Sequence, residues 1–141
     1  MSEVGYLLDT NIISETRKKR PEPKVIRFLK SIESKLVCLS VLTIGELRRG
    51  AILKRRTDEK NSDDLSRWID RVEETYQKRL LPIDLDVASV WARLSAGRPR
   101  PIVDALIAAT AIAHRMTLVT RDVDDVSDTG VAIVNPWKWN P

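Results

Sequence analysis

Four carboxylates, Asp9, Glu46, Asp104 and Asp122, stand where an acid is out of keeping with its neighbours. Asp9 closes an apolar segment in YLLDTN, and Asp122 follows TLVT in TRDVDD. Asp104 heads the most apolar stretch of the chain, among Ile102, Val103, Ala105 and Leu106. A buried carboxylate there is costly unless it is paired or bound to a metal. Glu46, between Gly45 and Leu47, is expected near a buried edge. Singly, each acid has an ordinary explanation: helix N-caps for Asp9 and Asp122, a favourable helix dipole for Asp104, a solvent-facing helical acid for Glu46. Gathered at one end of a fold they would repel and raise one another's pKa. A divalent cation removes that problem, and oxygen ligands without His or Cys point to Mg²⁺ or Mn²⁺. Such an ion binds phosphate and activates water.

Composition narrows the remaining chemistry. A single histidine, His114, and a single cysteine, Cys38, exclude an internal disulfide framework and leave too few soft ligands for structural zinc. The length of 141 residues with 43% apolar residues fits one domain over 1–141 with one real core. The longest apolar run, Ala105 to Ala113, is interrupted by Thr110 and is too short for a membrane span. The opening MSEVGYLLDTN lacks a basic n-region and a long h-region, so no secretory signal and a cytoplasmic location are expected. The net charge of +4 is unevenly placed: residues 1–60 hold 14 basic against 8 acidic side chains. The clusters Arg17-Lys18-Lys19-Arg20, Arg48-Arg49 and Lys54-Arg55-Arg56 suit a polyanionic partner, nucleic acid first, or are simply solvated faces.

Short apolar strands are expected at Val4–Leu8, Lys35–Leu39, Thr117–Thr120 and Val131–Val134. Helical spacing marks Pro21–Ser34 (Val25, Phe28, Leu29, Ile32) and Thr43 to about Arg55 (Ile44, Leu47, Ala51). After a polar loop over Thr57–Asp64, a helix carries Leu65, Trp68, Ile69, Val72 and Tyr76. Another carries Val87, Trp91 and Leu94 and closes at Ala96-Gly97. Ile102–Arg115, apolar nearly all round, reads as a buried helix, and Trp137 and Trp139 as a cap on the core. Apolar strands alternating with helices predict an α/β fold, with a mostly parallel central sheet of four to five strands flanked by helices on both faces. Ligands of such a sheet bind beyond the carboxyl ends of the strands, where Asp9 and Asp122 fall.

The segments LLDTNIISE (7–15), SVLTIGELRRG (40–50), RPIVDALIAATAIAHRMTLVTRD (100–122) and GVAIVNPW (130–137) run in an order that resembles PIN-domain proteins of the VapC type, FitB-like branch. The resemblance covers essentially the whole chain and implies a PIN-like fold and the toxin of a type II toxin–antitoxin pair. It implies a metal-dependent endoribonuclease in which Asp9, Glu46, Asp104 and Asp122 bind Mg²⁺ or Mn²⁺ and hydrolyse RNA phosphodiester bonds. Thr10, Asn11 and Thr120 match polar residues that support the acids, and Asp125 matches a further acid. Val126 stands where the family pattern has Phe. The resemblance also implies a cognate antitoxin, with DNA reached only through that partner, and a homodimer.

In this reading Asp9, Asp104 and Asp122 hold the metal directly or through water, and Glu46 joins them or holds a water. Arg48, Arg49 and Arg121, beside the acid-bearing motifs, are the candidates for the RNA backbone. An antitoxin tail is expected between the helices Pro21–Ser34 and Thr43–Arg55. The stripes Trp68-Ile69-Val72-Tyr76 and Val87-Trp91-Leu94 are the candidate dimer surfaces. Two other readings compete: a non-catalytic nucleic-acid or protein-binding module of the same fold, and a phosphoryl-transfer enzyme with Asp9 as nucleophile. The second lacks a companion acid two residues on, where Asn11 stands. A nucleoside-triphosphate enzyme is disfavoured by the absence of a GxxxxGK[ST] loop.

Overall fold

In the computed structural model, residues 4–141 are described; Met1–Glu3, part of the expected 1–141 domain, lie outside them. Five short strands, β1 (Tyr6–Leu8), β2 (Val37–Ser40), β3 (Leu80–Leu81), β4 (Thr117–Val119) and β5 (Ile133–Val134), form one sheet in the order β3-β2-β1-β4-β5. Every pairing is parallel, with Leu7 beside Cys38 on one side and Leu118 on the other. Strand β3 has no counterpart in the sequence reading. It is two half-buried leucines at the sheet edge, too short for any periodicity to reveal.

Period-two alternation splits the strands' apolar side chains between two faces. Leu8, Val37, Leu39 and Val119 point to one face. It is covered by α1 (Thr10–Arg17), α2 (Pro23–Ser31), α3 (Val41–Arg55) and α4 (Glu59–Tyr76), through residues such as Ile12, Val25, Phe28, Leu47 and Ile69. Leu7, Cys38 and Leu118 point to the other, covered by α6 (Ile102–Ala113) and by Val126 of the short α7 (Val123–Val126). Helix α5 (Leu85–Gly97) packs along α6 through Val87, Val90 and Ala109. Helices thus cover both faces, as expected. Trp137 and Trp139 pack against the first cluster, Trp139 edge-on to Phe28 with centroids 5.6 Å apart.

Three local readings change. Helix α1 was not foreseen: its one apolar pair, Ile12-Ile13, faces the core while the rest of its surface is polar. Helix α4 begins at Glu59, inside the expected polar loop, because Asp58 caps the Asn61 N–H at 3.2 Å and buried Ser62 donates to the Ala51 carbonyl at 2.7 Å. Helix α6 ends at Ala113, before the expected Arg115, which takes a left-handed φ of 55° while the Met116 N–H closes back onto the Ala111 carbonyl at 2.8 Å.

The two candidate dimer stripes also turn inward. Ile69 is fully buried with Trp68, Val72 and Tyr76 packed around the same cluster, and Val87 is fully buried with Trp91 and Leu94 against α6. Ile69 and Val87 face the chain's own core, packed on α3 and α6, while Trp68 and Trp91 stay partly exposed. Among the described residues no helix is long and apolar enough to cross a membrane.

Candidate active site

The chain leaves β1 for β2 on one side and β4 for β5 on the other, so strand order reverses between β1 and β4. A crevice opens beyond the carboxyl ends at such a point. Asp9 follows β1 directly. Its backbone N–H donates to the Val119 carbonyl at 2.9 Å, which ties it to the end of β4. One carboxylate oxygen accepts from the Thr10 N–H at 2.7 Å and the other from the Thr120 hydroxyl at 2.8 Å. Both oxygens are therefore fixed, and the side chain lies in the crevice rather than over the second or third N–H of α1, where a helix cap ordinarily sits.

The other acids converge on the same place from three further elements. Asp122 begins the turn into α7; its side chain makes no capping bond, and Asn11 Nδ2 donates to it at 3.2 Å. The Asp122 N–H donates to the Thr120 hydroxyl oxygen at 3.0 Å, so Thr120 links two of the acids. Glu46, from the second turn of α3, accepts from the Thr10 hydroxyl at 2.6 Å. Thr10 Oγ1 also lies 3.1 Å from buried Thr43 Oγ1; with its single proton given to Glu46, it accepts from Thr43. Asp104 is the third residue of α6 and is half-buried. All four acids, with Thr10, Asn11 and Arg121, line one open cavity of about 410 Å³. Glu46 is exposed rather than at a buried edge, since the Gly45 side of α3 faces solvent here.

The electrostatics follow from that crowding. Asp9 is pushed up to about 6, mainly by burial; the bonds from Thr120 and Thr10 oppose this, and Asp104 and Asp122 add to it. Asp104 is also raised, by burial first and then by Glu46, Asp122 and Asp125. Among the described residues none of the four acids is in an ion pair. The cations on the rim are engaged elsewhere: Lys18 pairs with buried Glu15 at 2.9 Å, and Arg121 lies over the Trp137 ring, 4.9 Å from its centroid. Glu15 also accepts from the Glu22 N–H at 3.0 Å and is held below the usual carboxylate range, chiefly by Lys18. Asn11 Oδ1 is buried without a partner. The crevice therefore holds uncompensated negative charge and an orphaned oxygen, a donor set suited to a hard cation. Among the described residues no three His, Cys, Asp or Glu side chains stand close enough together to hold a metal ion as they are placed. The four acids share the cavity wall without closing on a common point, so an ion there would be reached in part through water.

The remaining expectations divide. Asp125 is exposed and lines a neighbouring cavity of about 590 Å³ with Asp122 and Arg121. Its backbone carbonyl accepts from Arg98 and Arg100, which converge on Asp128 and clasp the turn before α6 to the segment after β4. That clasp joins the segments that carry Asp104 and Asp122. Val126, in place of Phe, is buried in the core behind them. Arg48 is corrected: it does not line the cavity, because α4 captures it through Asp70 at 2.9 Å and Glu73 at 3.0 Å. Arg49 is exposed and outside the cavity lining. The groove expected between helices Pro21–Ser34 and Thr43–Arg55 is also corrected. The cleft that continues from the acids is lined by α1, α3 and α4, including Ser14, Leu47, Gly50, Leu65 and Trp68, while α2 packs onto the sheet. Ser14, Glu15, Lys18 and Trp137 line the acid cavity, although the sequence marks Lys18 only as part of a basic cluster, Trp137 only as a core cap, and the other two not at all. The four-residue spacing Thr10-Ser14-Lys18 would have marked Ser14 and Lys18 once α1 was known to be a helix.

The PIN domain family model matches residues 6–131. Toxin FitB of Neisseria gonorrhoeae is 35% identical over 140 residues, covering 93% of this chain and 97% of that one. VapC ribonuclease Y4jK of Sinorhizobium fredii is 36% identical over 141 residues, covering 94% and 97%. Among solved structures, FitAB bound to an IR36 DNA fragment superposes with a TM-score of 0.85 at 33% identity, over 96% of this chain and 98% of that one. FitAcB from Neisseria gonorrhoeae gives 0.85 at 34%, over 95% and 99%. A chain whose five-stranded parallel sheet, acid-lined crevice and family match all coincide belongs to the PIN-domain family.

Proposed function

We propose that the chain is a Mg²⁺- or Mn²⁺-dependent endoribonuclease, the toxin of a toxin–antitoxin pair. The observation that carries this reading is the convergence of Asp9, Glu46, Asp104 and Asp122 on one cavity, where among the described residues none of them is in an ion pair. A binding module that used these acids as caps would not need all four to be carboxylates, and Asp122 caps nothing. The names toxin FitB and VapC ribonuclease carried by close relatives support the same activity and biology. Asp9, Asp104 and Asp122 would hold the ion, directly or through water, and Glu46 would join them or hold a water. Mg²⁺ commonly binds through one or two carboxylates and retains several waters. When bound, the ion supplies Lewis acidity toward a phosphodiester and lowers the pKa of water.

The chain's own residues do the positioning. Thr120 and the Thr10 N–H fix both oxygens of Asp9, the Thr10 hydroxyl fixes Glu46, and Asn11 fixes Asp122. Arg121, over the Trp137 ring at the cavity rim, meets the RNA backbone. A cognate antitoxin neutralises the toxin by covering this cavity, and DNA is reached through that antitoxin, in keeping with the DNA-bound FitAB complex. The test is cleavage of RNA by the purified chain in Mg²⁺ or Mn²⁺ and in EDTA. Cleavage should require the cation and fall by orders of magnitude in Asp9→Asn, with the circular-dichroism spectrum unchanged. Equal cleavage in EDTA overturns the reading.

A further inference from the structure

The basic clusters at residues 17–20 and 54–56 contribute only Lys18 to the acid cavity. Folding brings parts of both together. The end of α1 and the end of α3 meet α4 around a basin of about 630 Å³, lined by Arg17, Lys19, Lys54, Arg67 and Arg71 with Trp68 among them. Arg67 pairs with Asp64, an acid that also lines the basin. Among the described residues the other four make no ion pair, although the chain has 20 acids. The contrast lies on the same helices: Arg48 and Arg55 of α3 are each paired with two acids of α4. Four unpaired, exposed cations around one concavity repel one another and gather counter-ions.

The basin is continuous with the candidate active site. The intervening cleft, about 410 Å³, shares Thr10, Ser14, Lys18 and Glu46 with the acid cavity, and Arg17 and Trp68 with the basin. Thr10 and Arg17 are the first and last residues of α1. At about 1.5 Å of rise per residue, they stand about 10 Å apart along the axis. Arg17 itself lies over the Trp68 ring, 5.8 Å from its centroid, and both residues line the cleft as well as the basin.

Resting on the ribonuclease reading, we propose that this basin is a second RNA-binding site, which holds the phosphodiester backbone of the substrate away from the bond being cut. A flexible polyanion that reaches the acids can follow the cleft to the basin, where phosphates replace the counter-ions. Affinity from this source falls with salt, by about 0.7 log units per log of salt for each phosphate neutralised on a single strand. The basin touches none of the four acids, so it acts on substrate capture and not on the chemical step.

The test is binding of a labelled single-stranded RNA to the full chain in EDTA, followed by fluorescence anisotropy over a range of salt. Lys19→Ala, Lys54→Ala and Arg71→Ala, combined, remove three exposed cations of the basin. Arg27→Ala, Lys30→Ala and Arg93→Ala remove as many exposed cations from α2 and α5. The basin variant should bind about tenfold more weakly or worse, with the salt slope smaller by about 2, while the control changes little. In the cleavage assay KM should rise with kcat nearly unchanged. Equal losses in both variants, or unchanged RNA binding in the basin variant, overturn the proposal. So does a basin variant that loses an acidic peptide partner but keeps RNA. A wild-type chain that binds RNA through the basin yet leaves it uncut in Mg²⁺ and in Mn²⁺ refutes the ribonuclease reading and not the basin.

Discussion

Replacing Asp9 with Asn should stabilise the metal-free protein at neutral pH. In the folded chain the carboxyl is raised from 3.8 to about 6, chiefly because it is buried. A raised acid binds its proton more tightly when folded. Its stabilising contribution is complete below pH 3.8 and is lost as the pH climbs through about 6. At about 1.4 kcal/mol per pH unit, the charged carboxylate costs the metal-free fold about 3 kcal/mol at pH 7. Asn keeps an acceptor for one of the bonds from Thr10 and Thr120 and forces the other to reverse, which returns ~1 kcal/mol. The net gain of about 2 kcal/mol corresponds to a rise in Tm of roughly 5–10 °C for a domain of this size. Thermal unfolding in EDTA reads it directly. The variant should melt above the wild type at pH 7, and the advantage should vanish at pH 4. Mn²⁺ should then raise the Tm of the wild type and leave the variant nearly unmoved. A variant that melts below the wild type at pH 7 in EDTA, or by the same margin at both pH values, refutes the argument.

Thr10→Val removes the donor that holds Glu46 and should lower kcat by about 10- to 100-fold with the fold intact, the scale seen when partners of ligating groups are lost; an unchanged kcat means that Thr10 does not position Glu46. Ile69→Ala, at a fully buried site between α4 and the core, should cost about 2–5 kcal/mol in urea unfolding without altering the oligomeric mass. Gly130→Ala forces an alanine into φ +84° and should cost ~1 kcal/mol in the same assay, although open space surrounds the position.

Much of this architecture is legible in the sequence because parallel strands buried on both faces are apolar throughout. Leu7-Leu8, Cys38-Leu39 and Leu118-Val119 are such pairs, and each is divided between the two faces as the pleat requires. Strand β3 is not legible, since two edge leucines look like any loop. Helix α1 is hidden because its exposed face carries the site residues Thr10, Asn11 and Ser14 in place of ordinary helix formers. Amphipathic spacing identifies Ile69 and Val87 as buried but is silent on what buries them, which is why both stripes read as surfaces for a partner. The acids stand out by type and place. The bonds that orient them run from Thr10 to Glu46 and from Thr120 to Asp9, 36 and 111 residues apart, and nothing local encodes them. Arg48 shows the same limit: its neighbours in sequence are site residues, but its partners Asp70 and Glu73 come from a different helix.

The central claim is that the four carboxylates share a divalent cation. Crystals soaked in Mn²⁺ and measured for anomalous scattering test it most directly. The account predicts a peak in the crevice beyond β1 and β4, within ligand or water-bridged reach of Asp9, Asp104 and Asp122, that disappears in Asp9→Asn. A saturating soak that leaves the crevice without anomalous density, or a peak of equal height in the Asp9→Asn crystal, would contradict it.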